Sequence, residues 1–147
     1  MKKSDENCNP FGKCEEQSGR NKDFRCKEHG KTYHYTNKSE SFIVKIRVDE
    51  CLIKGEQERK CDYLFLNCDK KIAYLIELKG SDLAHAASQI LNVINVFQKE
   101  LSNFEIHARI VLSKVYQSDI ISEDYRKLQR RIKDRIIKRN ILLSETF

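Results

Sequence analysis

Over residues 41–49, Phe42, Val44, Ile46 and Val48 alternate with Lys45, Arg47 and Asp49. That period of two predicts a half-buried strand. Two denser apolar runs follow, Tyr63–Asn67 and 72–79, separated by the polar pair Asp69-Lys70. Unbroken apolar stretches such as Ile72, Ala73, Tyr74, Leu75 and Ile76 predict strands at the centre of a sheet. Folding the two runs as a hairpin about Asp69-Lys70 sets Cys68 opposite Lys71 and Asp62 opposite Glu77. After Gly80, Ser81-Asp82 forms a capping pair. Leu83, Ala87, Ile90, Ile94, Phe97 and Leu101 then recur at steps of three and four, which predicts a helix to about residue 101. Ile106, Ala108, Ile110 and Leu112 alternate with His107, Arg109 and Ser113, a further strand. Strand, helix and strand in this order form a crossover unit, expected to be right-handed, with its last strand parallel to the one carrying Glu77. A second helix is expected over 122–139, with Tyr125, Leu128, Ile132 and Ile136 as its apolar edge. The chain thus reads as α/β, a mixed central sheet flanked by helices.

At 147 residues the chain suffices for one sizeable core. Five glycines and one proline favour long regular elements. No apolar run approaches the ~18 residues of a membrane span. The lysines near Met1 lead into no apolar segment, so no signal peptide is expected and the reading is cytoplasmic. In a reducing compartment a disulfide framework is not expected. Cys61 and Cys68 read as small buried side chains, and Cys51 has no partner that sequence can assign. Residues 1–36 are polar and read as a separate arm ahead of a domain over 37–147. Cys8, Cys14, Cys26 and His29 have five, eleven and two intervening residues. The arm is either a structural zinc site or a disordered segment with incidental cysteines.

A net charge of +6 and a pI near 9.0 favour an anionic partner. The cations concentrate at the end of the chain. Arg126, Lys127, Arg130, Arg131, Lys133, Arg135, Lys138 and Arg139 face one acid of that stretch, Asp134. Such a segment is either a solvated surface helix or a surface for the phosphates of a nucleic acid.

The chemistry concentrates at the mouth of the hairpin. Antiparallel partners have Cβ atoms roughly 4.5–5.5 Å apart, so Asp62 and Glu77 bring two like charges together and call for a cation. Lys79, two residues beyond Glu77, shares its face. Two carboxylates with room for water and a phosphate oxygen suit Mg2+, which polarises a phosphorus centre and acidifies a bound water.

These residues, Asp62 on one strand and Glu77-Leu78-Lys79 on the next, resemble the motif of the PD-(D/E)xK superfamily, the restriction-endonuclease-like nucleases. The likeness spans about residues 42–113. It implies that Asp62, Glu77 and the Leu78 carbonyl hold Mg2+ (or Mn2+) and that Lys79 is the catalytic lysine. Gln89, a turn after His85, stands where several members place a glutamine facing the site. An acid ahead of the sheet is represented by Glu40, with Glu50 as the alternative. Cys61 stands where the motif's proline would be, and Val93 where one branch has tyrosine. The resemblance implies a Mg2+-dependent nuclease hydrolysing phosphodiester bonds in DNA, acting as a homodimer or with a partner protein. The alternative is a non-catalytic nucleic-acid-binding or adaptor protein on the same scaffold.

Overall fold

The computed structural model describes residues 6–55, 58–78, 82–113, 122–133 and 135–147. Strand β1 spans Glu15–Gly19, β2 Asp23–Glu28, β3 Lys31–Thr36, β4 Ile43–Arg47, β5 Tyr63–Asn67 and β6 Ile72–Glu77. Helix α1 (Leu83–Val96), strand β7 (Glu105–Leu112), helix α2 (Glu123–Ile132) and strands β8 (Ile136–Asn140) and β9 (Leu142–Thr146) complete the order. Six strands form one mixed sheet in the order β1-β4-β5-β6-β7-β8, and β2-β3-β9 form a second. Among the described residues no helix is long and apolar enough to cross a membrane.

The main sheet is antiparallel from β1 to β6 and parallel from β6 to β8. β5 is buried along its whole length because both faces are covered. Leu64 and Leu66 of β5, with Ala73 and Leu75 of β6, pack against Leu83, Ala87 and Ile90 of α1. The alternate residues, Tyr63, Phe65, Tyr74 and Ile76, pack with Phe24, Tyr33, Tyr35 and Leu143 of the smaller sheet. Period two thus sorts each central strand into an aliphatic side under the helices and an aromatic side under β2 and β3.

The hairpin has the expected register: Tyr63 pairs with Ile76 and Asn67 with Ile72. β7 runs parallel to β6 and places Ile110 beside Glu77. The helical stripe is also as expected, although α1 closes at Val96 and continues to Leu101 as turns.

Two expectations are corrected. The described residues of the expected 1–36 arm, 6–36, do not stand apart: β1 is the outer strand beside β4, and β3 pairs with β9 from the far end of the chain. The second helix stops at Ile132, where Lys133 takes a left-handed φ of 56°. Arg135 onward leaves the helix, and Ile136 to Asn140 pair with Ala108 to Leu112 of β7. Ile136 had the right spacing for the helical stripe. Two consecutive β-branched residues beside the open edge of β7 favour a strand instead.

The cysteines are corrected as well. Cys8 is bonded to Cys68 and Cys14 to Cys51, while Cys26 and Cys61 are free and buried. Cys8 and Cys14 are therefore joined to cysteines of the main sheet and its loops, not gathered with Cys26 and His29 around an ion. His29, with φ 49°, and Gly30, with φ 74°, form the turn between β2 and β3. Both central residues of a two-residue hairpin of this kind need positive φ.

Candidate active site

The site grows out of the β5–β6 pairing. The Asp62 N–H donates to the Ile76 carbonyl at 3.0 Å, which carries the ladder one step past Tyr63. The Asp62 carbonyl in turn accepts from Val48 N–H at 3.0 Å, so the residue is fixed between β4 and β6. Period two then puts the Asp62 side chain on the face of Leu64 and Leu66, and Glu77 on the face of Ala73 and Leu75. That shared face is the one under α1.

One main-chain donor ties the two acids. The Leu78 N–H reaches Asp62 Oδ2 at 2.8 Å and Glu77 Oε1 at 3.2 Å. These two oxygens thus lie within about 6 Å of each other, the sum of the two contacts. Asp62 is 2 % exposed and Glu77 0 %. The neighbouring Cys61 thiol is held far above its ordinary range, first by burial and then by the charges of Glu77 and Asp62. Thiolate chemistry at Cys61 is thereby disfavoured.

Around the carboxylates lies a support that the sequence reading largely missed. The turn over 48–53 closes through Cys51 N–H to the Val48 carbonyl at 3.2 Å and Glu50 N–H to the Ile53 carbonyl at 3.0 Å. It delivers Asp49 and Glu50 to the buried ammonium of Lys60. Lys60 Nζ contacts Glu50 Oε1, the Gly55 carbonyl at 2.5 Å and Asp49 Oδ1 at 3.6 Å. Burial presses the Lys60 ammonium toward neutrality, but Glu50 and Asp49 outweigh it and raise its pKa. The hydrogen bond from Lys60 lowers that of Glu50.

Helix α1 clamps the same segment from above. Its N-cap Asp82 accepts from His85 N–H at 3.1 Å. Gln89, 5 % exposed, donates from Nε2 to the Lys60 carbonyl at 3.0 Å, and Asn92 donates to the Arg59 carbonyl at 2.6 Å. Gln89 therefore holds the approach to Asp62. His85, on the first turn, is exposed.

The remaining expected residues are distributed as follows. Lys79 lies outside the described residues. Glu40 precedes β4, at the end where Ile43 pairs with Asn67. Its carbonyl accepts from Arg20, which also binds Asp69 of the hairpin turn. The five residues of β5 separate that end from Asp62, a run of ~16 Å at about 3.3 Å per residue. The acids of this loop system that stand near Asp62 are Glu50 and Asp49. Of the basic set, Arg126, Lys127, Arg130 and Arg131 are exposed on α2, and Lys133 follows them at the helix end. Arg135 is engaged by Glu105 at 3.1 Å, and Lys138 by the Tyr125 hydroxyl at 3.2 Å. Arg139 is exposed on β8.

Among the described residues no three His, Cys, Asp or Glu side chains gather as a metal-binding cluster. The candidate donors are instead the two carboxylates, hard oxygen ligands of the kind that suits Mg2+. An ion bound through one oxygen of each acid needs those atoms no more than ~4 Å apart, given Mg–O distances of about 2.1 Å. The limit set by the shared Leu78 N–H accommodates that spacing. Comparison with protein-family models, curated proteins and solved structures returns no match.

Proposed function

We propose that the protein is a Mg2+-dependent nuclease that hydrolyses phosphodiester bonds, with DNA as its substrate. The observation that carries the reading is the Leu78 N–H shared by Asp62 Oδ2 and Glu77 Oε1. It puts two acids from adjacent strands at one point, in the relation on which the PD-(D/E)xK resemblance rests. The order β4, β5, β6, α1, β7, with β7 parallel to β6, supports extending the proposal to a restriction-endonuclease-like fold.

In this reading Asp62 and Glu77 hold the ion, joined by the Leu78 carbonyl, and Mn2+ can replace Mg2+. The bound ion supplies charge for the phosphate and a more acidic water. Lys79, two residues beyond Glu77 in the chain, brings positive charge to the phosphate undergoing attack. Gln89 acts as a positioning residue through the Lys60 carbonyl, and Lys60 keeps the turn bearing Asp49 and Glu50 against the site. One such site cuts one strand, so cleavage of both strands calls for a homodimer or a partner protein.

The full burial of Glu77 favours a second reading, a non-catalytic nucleic-acid-binding or adaptor protein. A carboxylate closed to solvent must be uncovered before a phosphate reaches it. The two readings separate on supercoiled plasmid and single-stranded DNA, incubated with Mg2+ or EDTA and with Glu77→Ala and Lys79→Ala alongside. Mg2+-dependent cutting lost in both variants is expected. Equal cutting by all three proteins would sink the site, and no cutting with retained binding would favour the adaptor. A cytoplasmic location belongs to the same proposal and requires the two bridges to persist against cellular thiols. Thiol titration of protein isolated without reductant tests that requirement.

A further inference from the structure

A groove of about 500 Å3 runs between α1 and α2. Arg59, Lys127, Arg130 and Arg131 line it, together with the amides Asn92 and Asn95. Among the described residues Asp124 is the one acid of the lining. We propose that this groove seats the sugar-phosphate backbone of a nucleic-acid duplex, without regard to base sequence. The inference deepens the nuclease reading and rests on it for the nature of the ligand.

Three observations carry it. The cations are not spent on acids. Among the described residues Arg130 and Arg131 have no acidic partner, and Lys127 meets Glu123 at 3.5 Å with both side chains largely in water. Acids do stand three or four positions away in the chain, Glu123 before Arg126 and Lys127 and Asp134 after Arg131 and Arg130, but among the described residues the Lys127–Glu123 contact is the one ion pair the α2 cations make. The helix dipole explains basic residues in the last turn of α2. It does not explain Arg59, which comes from the segment before β5 and faces the same groove. Asn92 holds that segment in place through the Arg59 carbonyl.

The lining chemistry selects the ligand. Guanidinium, ammonium and amide donors match phosphate oxygens, the contacts that position a nucleic acid without reading its bases. Among the described residues no aromatic side chain lines the groove. Single-strand binding commonly relies on aromatic stacking, so a duplex backbone is the better occupant.

The groove also lies close to the carboxylates along the chain. Arg59 lies three residues before Asp62, a chain reach of at most ~11 Å. At about 3.4 Å of axis per phosphate on one strand, that is roughly three base steps. A backbone seated in the groove extends to the site over a short span.

The test measures binding, not cutting. Fluorescence anisotropy in EDTA would follow the full chain on two labelled 20-base-pair duplexes of unrelated sequence and on one 20-base single strand. Arg130→Ala/Arg131→Ala removes two groove cations. Lys27→Ala/Lys38→Ala removes two exposed cations outside it and outside the basic C-terminal set. The groove pair should weaken duplex affinity at least about tenfold, with the slope of log K against log salt falling by about two. The control pair should stay within about twofold, and the two duplexes should bind alike. Equal losses from both pairs, no loss from the groove pair, tighter binding of the single strand, or no binding at all would each overturn the proposal. A parallel cleavage assay with Mg2+ keeps the two ideas apart. Groove-dependent binding without cutting would leave the groove and remove the nuclease. Cutting unaffected by the groove pair would do the reverse.

Discussion

Asp62 and Glu77 stand opposite each other across the β5–β6 pairing and accept the same main-chain N–H, that of Leu78. A rigid backbone donor thus fixes the position of both acids before any ion arrives. Binding of a cation to a site arranged in the folded chain alone stabilises that chain by mass action. At a Mg2+ concentration ten times its dissociation constant the gain is ~1.4 kcal/mol, or about 3–5 °C in Tm for a chain of this size. Differential scanning fluorimetry with Mg2+ against EDTA should show this rise in the wild type and lose it in Glu77→Gln. A rise of equal size in both would remove the metal from Glu77.

Gln89→Ala removes the donor to the Lys60 carbonyl and leaves that buried acceptor unsatisfied. The expected cost is about 1–3 kcal/mol in urea unfolding. If Gln89 works by positioning, kcat for DNA cleavage should fall while KM holds. A fall in stability with unchanged kcat would make the residue structural only.

The Lys60–Glu50 pair sets a pH window. Glu50 has a lowered pKa, so its contribution is complete above the usual carboxyl value near 4.5 and is lost as pH falls through the folded value. Lys60 has a raised pKa, so its contribution is complete below about 10.5 and is lost as pH rises through the folded value. Stability from this pair should be flat between these limits. Glu50→Gln should weaken the acid-side dependence in equilibrium denaturation, to which Asp23 and Glu105 also contribute, and an unchanged acid limb would disprove the role. Lys60→Ala should cost more than Glu50→Gln, because it leaves Asp49 facing the vacated buried position.

The cysteines give a count. Denatured without reductant, the chain should titrate two thiols, Cys26 and Cys61, and six after reduction. Burial pushes both free thiols well up in the folded protein, so a thiol reagent should react slowly before unfolding. The bridges close loops of 60 and 37 residues. Loop-closure entropy puts each at about 4 kcal/mol, and urea midpoints with and without dithiothreitol should separate accordingly. Six thiols before reduction would leave the bridges unformed.

The hairpin was legible because two apolar runs flank one polar turn and leave a single register that buries both. That register alone placed Asp62 across from Glu77. β1 was not legible: Glu15–Gly19 is a polar edge strand with no apolar side to announce it. β2 and β3 did carry a signal, since Phe24 and Cys26 alternate with Arg25 and Lys27, and Tyr33 and Tyr35 with His34. Cys26 of β2 and His29 of the turn after it pointed toward metal spacing instead. Lys60 could not be read as buried, because its partners Asp49 and Glu50 arrive through a turn folded by tertiary contacts. Glu40 and Glu50 flank the same strand, and only the direction of β4 decides which end meets Asp62.

The pairing of β1 with β4 bears on how small this protein can be made. A fragment beginning at residue 37 keeps every acid of the site, yet it bares the ladder groups of β4 and the aromatic flank of Phe65 and Tyr74. It also strips β9 of β3, the strand it pairs with. Exposed strand edges beside a large apolar surface recruit other chains. Such a fragment should self-associate, its carboxylates lodged in an aggregate.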